Sequence, residues 1–208
     1  FLKRNNRNKN FLAFEKHCLQ NLRDHINQKN LIVPEVIAYK NFKKIEILLM
    51  EWINMPNFDQ RKLGKGLGEM HLNSNASNPK IFGYSVEGFI GLTNQTKGWE
   101  NNWIDCFLNL RIIPQLSILK SNILDKETIN KVKKKIRLEL LNHKPTNTLI
   151  HGDLWSGNVG VDKSGKGVIF DPASWWADNE VDIAMTKLFG GFGKEFYEEY
   201  HQIFPIKR

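Results

Sequence analysis

Three oxygen-bearing side chains near the C-terminal end of the 208-residue chain have types and spacings that suit chemistry on a phosphate. Asp153 and Asn158 lie in the glycine-punctuated run His151-Gly152-Asp153-Leu154-Trp155-Ser156-Gly157-Asn158, and Asp171 follows further on. Leu149-Ile150 ahead of the run reads as a short apolar strand. Val159 to Val161 and Val168 to Phe170 read as two more, joined by the turn Ser164-Gly165-Lys166-Gly167. A hairpin there brings Asn158 and Asp171 side by side. An amide and a carboxylate so placed are hard-oxygen ligands for Mg²⁺, which completes its shell with water and nucleotide phosphates. Asp153, just ahead of them, can accept the proton of an attacking hydroxyl.

Other elements must position these groups. Positions 11 to 28 carry a helical period, with Phe11, Phe14, Cys18, Leu19, Leu22 and Ile26 on one face. Glu15 falls on the same stripe; it is expected to edge the stripe and reach solvent, with Lys3 on the preceding strand as the alternative partner. Ile32 to Tyr39 and Ile45 to Ile53 read as an antiparallel pair around the polar Lys40 to Lys44, the second strand buried on both faces. Asn54-Met55-Pro56-Asn57 then breaks the pattern and marks a lobe boundary, giving residues 1–53 and 54–208. Helical periods follow over Asp59 to Leu72, Asn102 to Leu119 and Asp125 to Leu141, with an Asn/Gly/Ser-rich loop from Asn73 to Gly98. Asp178 is expected to cap a helix through Val181, Ala184, Met185 and Leu188 that stops at Gly190-Gly191, and a last helix covers Lys194 to Ile203.

Composition sets limits. Thirty Lys+Arg against 22 Asp+Glu give a net charge of +8. The basic run Lys131 to Arg137 reads as the solvated face of a helix whose apolar stripe is Ile129, Val132, Ile136 and Leu140, so no nucleic-acid partner is expected. No apolar run approaches the ~20 residues of a membrane span. Cys18 and Cys106 read as free thiols in a chain too large to depend on disulfides, and a soluble, cytoplasmic protein is the expectation. The chain opens on Phe1 and closes just after a helical pattern, as a piece of a longer protein would.

The run at 151–158 fits the kinase catalytic-loop pattern H-x-D-L-x-x-x-N at His151, Asp153, Leu154 and Asn158. Lys3 and Glu15 fit the lysine–glutamate pair that positions nucleotide phosphates. Glu51, Trp52 and Ile53 sit where a chain crossing between lobes would offer backbone groups to adenine. His151 is expected to brace the loop, and Asp182 to hold the loop backbone. Trp155, Trp175 and Trp176 suit either a core or an aromatic wall for a sugar ring. Trp99 and Trp103 read as packing, with Trp99 nearer the rim.

The whole loop His151 to Asn158 resembles the hallmark of the fructosamine kinase (ketosamine-3-kinase) family, relatives of aminoglycoside phosphotransferases. Phe1-Leu2-Lys3, Phe89-Ile90-Gly91, Gly98-Trp99, Arg111 with Pro114-Gln115-Leu116, Asp171-Pro172-Ala173, Glu180 to Met185 and Leu188 to Phe192 extend the resemblance along the chain. It implies an α+β, two-lobed protein-kinase-like fold, with a partial β-rich lobe and a mainly helical one. It further implies an ATP- and Mg²⁺-dependent kinase acting on the 3-hydroxyl of free or protein-bound ketosamines, which amounts to deglycation repair. Lys3 would hold the α/β-phosphates and Glu15 orient it; Asp153 would be the base, Asn158 and Asp171 the metal ligands, and Trp155 and Trp175 acceptor contacts. Gly152 stands where protein kinases have an arginine that reads a phosphorylated activation loop, so no such switch is expected. The family's nucleotide-covering hairpin before the lysine strand, and its helices beyond Pro205, have no counterpart in this sequence. An aminoglycoside- or choline-type kinase and a non-catalytic nucleotide-binding module are the competing expectations.

Overall fold

The computed structural model describes residues 1–6, 10–43, 45–119 and 125–206. The chain begins with β1 (Leu2–Asn5), α1 (Phe11–Arg23), β2 (Leu31–Ile32), β3 (Val36–Phe42) and β4 (Ile45–Met50). Strands β1, β4 and β3 form an antiparallel sheet in that order, with Lys3 opposite Leu48. Helix α1 lies against it through Leu12, Phe14, Cys18, Leu19 and Leu22, the stripe read from the sequence. The helix stops at Arg23 rather than near 28, because a turn closed by Asn30 N–H and Leu31 N–H on Asn27 O takes the chain away.

The expected strand over 32–39 is divided. Pro34 has no N–H for a ladder, and the part before it, β2, pairs in parallel with Gly167–Val168 instead of continuing into β3. Strand β4 is not buried on both faces as expected: Leu48 and Met50 are buried while Ile47 is 39% exposed. Only α1 covers this sheet, so only alternate residues turn inward. The buried Glu46 on the inward face accepts from Leu12 N (3.3 Å), Ala13 N (3.0 Å), Asn5 Nδ2 (2.6 Å) and Tyr39 OH (2.9 Å). Asn10 supplies no side-chain cap to α1; the carboxylate from a neighbouring strand satisfies the orphan N–H groups. The separating segment is shorter than expected: Lys40, Asn41 and Phe42 continue β3, paired with Ile47, Glu46 and Ile45, Lys43 makes the turn, and Lys44 lies outside the described residues.

Beyond Pro56 come α2 (Arg61–Ala76), β5 (Phe82–Tyr84), β6 (Gly88–Ile90), β7 (Thr93–Gln95) and β8 (Gly98–Glu100). The segment expected as a loop therefore holds four strands, each too short to carry a readable alternation. Two of them join distant strands, since β8, β5, β12 (Trp175–Asp178) and β9 (Asn147–Ile150) form one sheet in that order, while β6 and β7 pair with each other as a local hairpin. The helical pattern at 102–119 is interrupted as well. Asn102 caps α3 (Trp103–Phe107), a π-helical turn spans Leu108–Ile112, and α4 (Ile113–Ile118) follows with Pro114 in its first turn. Helix α5 (Lys126–Leu140) is capped by Asp125; its stripe is half-buried and Lys131, Lys134 and Lys135 are exposed, the solvated face expected.

The hairpin β10 (Val159–Val161) and β11 (Gly167–Ile169) forms as read. Helices α6 (Glu180–Leu188) and α7 (Lys194–Ile203) end the described fold. Helices α2 and α7 touch so closely that a Cβ at Gly64 would lie 2.1 Å from Phe196 O. Asp178 is not the cap of α6. It is the last residue of β12, where it contacts His143 Nε2 and accepts from Thr146 N at 3.2 Å. The strand Trp175–Asp178 leaves no room for a capping conformation, and Asn179 occupies the N-cap position without a side-chain bond.

Among the described residues no helix is long and apolar enough to cross a membrane. Cys18 and Cys106 are both buried and unpaired with each other, and burial pushes each thiol up to about 12. The thiolate is the reactive form, so neither cysteine should react with a disulfide reagent at neutral pH until denaturant is added. Absorbance of the released thiol, with and without denaturant, checks this.

Candidate active site

Strand β9 ends at Ile150, paired with Trp175 of β12, and delivers His151 at the edge of the sheet. His151 is fully buried. Its Nε2–H donates to Phe170 O (2.9 Å) while Nδ1 accepts from Asp153 N (3.3 Å). Both bonds suit a neutral ring, and burial holds its pKa below the usual value. The histidine braces the loop, as expected. Asp182, in the first turn of α6, completes the bracing: Oδ2 accepts from His151 N (2.7 Å) and Oδ1 from Gly152 N (2.9 Å). Its other partner is His71 Nε2 at 3.2 Å, itself fixed by Tyr200 OH on Nδ1 at 2.9 Å. Burial opposes the charge on Asp182, but the hydrogen bonds from His71 and from Gly152 N outweigh it and hold the carboxyl below its ordinary range. Gly152 has φ +83°, and a Cβ there would lie 2.1 Å from Ala173 O, so only glycine lets the loop turn at this point.

The loop presents Asp153, half-buried, beside Asn158. The Asn158 amide nitrogen donates to Asp153 O (2.9 Å) and to Asp153 Oδ2 (3.1 Å). Both bonds use Nδ2, which leaves Oδ1 as the atom to meet a hard cation. Asp171 stands beside Asn158 at the other end of the hairpin, through Phe170 N–H on Asn158 O (3.0 Å). It has φ +55°, a left-handed conformation rare outside glycine. Asp171 Oδ1 contacts Lys3 Nζ, and Lys3 Nζ also meets Glu15 Oε1 at 2.7 Å. These donors, one free amide oxygen and a partly exposed carboxylate beside a lysine, have the chemistry to hold Mg²⁺ against phosphates.

Glu15 thus does not edge the helix stripe toward solvent. It is 8% exposed and points at Lys3, because β1 runs along the open side of α1 and the lysine makes burial affordable. One cation serves two carboxylates here. Burial, opposed by Lys3 and reinforced by Asp171, lifts Glu15 to about 7, whereas Lys3, despite burial, is raised by Glu15 and Asp171 and stays charged. A proton held in the folded but not the unfolded state stabilises below the unfolded pKa and ceases to do so as pH rises through the folded one. The contribution of Glu15 should therefore disappear between about 4.5 and about 7. In Glu15→Gln this slope should vanish, so that the variant gains stability relative to wild type on going from pH 5 to pH 8. Urea midpoints at the two pH values check the sign. Asp153 is raised as well, by burial and by Asp171 and Asp182, against the pull of His151 and Asn158.

Glu51, Trp52 and Ile53 follow β4 and line a small, mostly apolar cavity of about 90 Å³ with Phe1, Pro34, Met50, Met55, Val168, Phe170 and Asp171. Asp171 thereby joins this cleft to the acidic cluster. Glu51 also pairs with the segment before β3, its N–H donating to Glu35 O at 2.9 Å. Trp155 is 39% exposed, edge-on to Phe189, and overlies the space where a Gly157 Cβ would be. Trp175 is placed differently. It is 5% exposed and stacked on Trp103 at 5.7 Å, so it belongs to the core beneath the loop. Trp176 meets His25 edge-on, and Trp99 is 39% exposed. His71 and Tyr200 were not legible as site-supporting residues; a histidine inside the α2 period was their only local signal.

The sequence profile of a family described as fructosamine kinase matches residues 1–208. A probable ketoamine kinase of Vibrio vulnificus is 34% identical over 202 residues, covering 95% of this chain and 69% of the relative. The chain spans 61% and 59% of two similar probable ketoamine kinases, from Vibrio parahaemolyticus and a Synechocystis strain. Among solved structures, one described as a fructosamine-3-kinase from Haemophilus somnus superposes with TM-score 0.87 at 26% identity, covering 100% of this chain and 70% of that one. An aminoglycoside phosphotransferase, APH(4)-Ia, shares the fold at TM-score 0.58 and 15% identity. The α+β architecture is that of the protein-kinase-like phosphotransferases.

Proposed function

This chain belongs to the fructosamine kinase family, and from that premise we propose that it transfers the γ-phosphoryl group of ATP to a sugar hydroxyl of a ketosamine, the adduct of a sugar with an amine. Residues 1–53 form the nucleotide-side lobe and residues 54–208 the catalytic lobe, with Leu31–Ile32 hydrogen-bonded across to the β10–β11 hairpin. Adenine sits in the cleft beside Glu51, Trp52 and Ile53. Lys3, steadied by Glu15, holds the α/β-phosphates. Asn158 and Asp171 hold Mg²⁺, which neutralises charge on the phosphates when bound. Asp153 orients the acceptor hydroxyl and takes its proton as the oxygen attacks phosphorus and ADP leaves. Trp155, exposed at the loop, offers its face to the sugar. Phosphorylation of the 3-hydroxyl destabilises the adduct and frees the amine.

One observation carries this reading: Asp153 contacts Asn158, Lys3 contacts both Asp171 and Glu15, and the bond from Phe170 N–H, the residue before Asp171, to Asn158 O joins the two groups, although they are scattered from position 3 to position 171. Positioning of this kind can supply ~7–11 kcal/mol of a barrier in favourable systems, and it is the main resource in phosphoryl transfer. ADP production measured with fructosamines, ribulosamines, an aminoglycoside and choline tests the proposal. Turnover with ketosamines that stops on chelation of Mg²⁺ supports it. Turnover only with aminoglycoside or choline replaces the acceptor, and ATP binding without any turnover makes the chain a nucleotide-binding module.

A further inference from the structure

Arg111 lies on the π-helical turn between α3 and α4 and points onto Trp175, its guanidinium carbon 3.8 Å from the ring centroid. Pro114 has no N–H to offer the carbonyl four residues back, and Arg111 Nη1 donates to that carbonyl, Leu110 O, at 2.8 Å, as well as to Thr96 O at 3.0 Å. The rest of the guanidinium is unused. Nε is buried without a hydrogen-bond partner, and among the described residues no carboxylate pairs with Arg111. Burial lowers its pKa to about 10, which still leaves it charged at neutral pH. A largely buried cation with no counter-charge is costly in a folded protein. Its place suggests what compensates. The Cδ1 edge of Trp175 is 3.4 Å from the position of a Cβ on Gly152, the residue before Asp153. Trp175 thus touches the Arg111 guanidinium on its ring face and the catalytic loop at its Cδ1 edge. Arg111 approaches from the β12 sheet and the α3–α4 turn, whereas Asn158 and Asp171 sit at the open end of the β10–β11 hairpin.

We infer that Arg111 is a specificity residue that binds a carboxylate on the amine half of the acceptor. The inference rests on the proposed ketosamine reading and deepens it. In an adduct of an α-amino acid, the carboxylate is one carbon from the amine nitrogen, close to the sugar carbons that react. In an adduct of a protein lysine, no such group lies there. Arg111 thus favours free amino-acid adducts over lysine-bound ones, and its charge repels polycationic acceptors.

The test compares fructosylglycine, fructosylglycinamide and the fructosyl derivative of glycyl-aspartic acid α-amide, whose one carboxylate lies on the distal side chain, with wild type, Arg111→Met and Arg111→Lys. Thermal midpoints verify that each variant folds. Wild type should prefer fructosylglycine over its amide by tenfold or more in kcat/KM, mainly through KM. Arg111→Met, which keeps an apolar stem over Trp175, should erase that preference while retaining turnover of the amide, and Arg111→Lys should restore part of it. The KM for ATP should not move. A preference for the aspartate derivative over fructosylglycine would overturn the α-carboxylate assignment. Equal losses on all acceptors, an unchanged preference, or a shift confined to the KM for ATP would overturn the inference altogether. Equilibrium binding of the same three acceptors separates the two levels. Arg111-dependent binding of fructosylglycine without phosphorylation removes the kinase reading and keeps the site; equal binding of acid and amide removes the site.

Discussion

Asp153→Ala is expected to lower turnover by about 10²–10⁴-fold, the range associated with a positioned general base, while nucleotide binding remains measurable. The two effects separate because Asp153 contacts neither Lys3 nor the cleft beside Trp52; its side-chain partner is Asn158 Nδ2 at 3.1 Å. The carboxylate must be ionised to accept a proton. Burial raises its pKa above the ordinary 3.8, so wild-type kcat/KM should rise with pH through a limb that lies above the usual aspartate range, and the residual activity of the variant should lack that limb. Steady-state kinetics across pH, with nucleotide affinity measured in parallel, provide the check. Unchanged turnover would remove the mechanism.

Asp182→Ala should be the most damaging change to stability, at about 3 kcal/mol or more, because a buried donor left without its acceptor costs ~1–3 kcal/mol and three are left here. The side chain has no exposed surface and serves three donors: His151 N, Gly152 N and His71 Nε2. Its loss strands two loop N–H groups and a buried imidazole. Asp182→Asn keeps the volume and one acceptor oxygen but turns an NH₂ toward one of these donors, so an intermediate loss is expected. The depressed pKa of Asp182 fixes the sign with pH. The stability it provides is present above the ordinary carboxylate value and is lost as pH falls through its lower folded value. Urea unfolding from pH 7 toward pH 3 should show wild type and alanine variant converging at the acid end. A difference that stays constant with pH would mean that the carboxylate charge is not what holds the loop.

The two predictions bear on residues that were differently legible. Asp153 stands in an eight-residue run whose composition has little structural use, and its neighbours Asn158 and Asp171 are joined by a hairpin whose turn residues are local. Asp182 was readable as an acid in an apolar helical background and as a holder of the loop backbone, but nothing nearby in the chain names His71 or Tyr200 as its partners. The same contrast holds in the fold. The stripes of α1 and α5 and the β10–β11 hairpin follow from local periodicity. Strands β5 to β8 do not, because three residues carry too little pattern; β5 also takes a partner far along the chain in β12, whereas β6 and β7 pair with each other. Glu15 and Trp175 make the point at the level of single residues: the stripe position of one and the aromatic type of the other left burial undecided.

By itself the sequence determined which residues are proposed as the reacting groups, the order of the main helices and the hairpin that joins Asn158 to Asp171, since these depend on residue types and short spacings. The tertiary structure alone decided which charges are buried together. Lys3 meets Glu15 and Asp171, Glu46 caps α1 from a neighbouring strand, Asp178 takes His143 instead of a helix end, and Arg111 stands on Trp175 with no carboxylate paired to it among the described residues. Burial sets the energy of a charge, and burial is a property of the assembled core rather than of any stretch of chain.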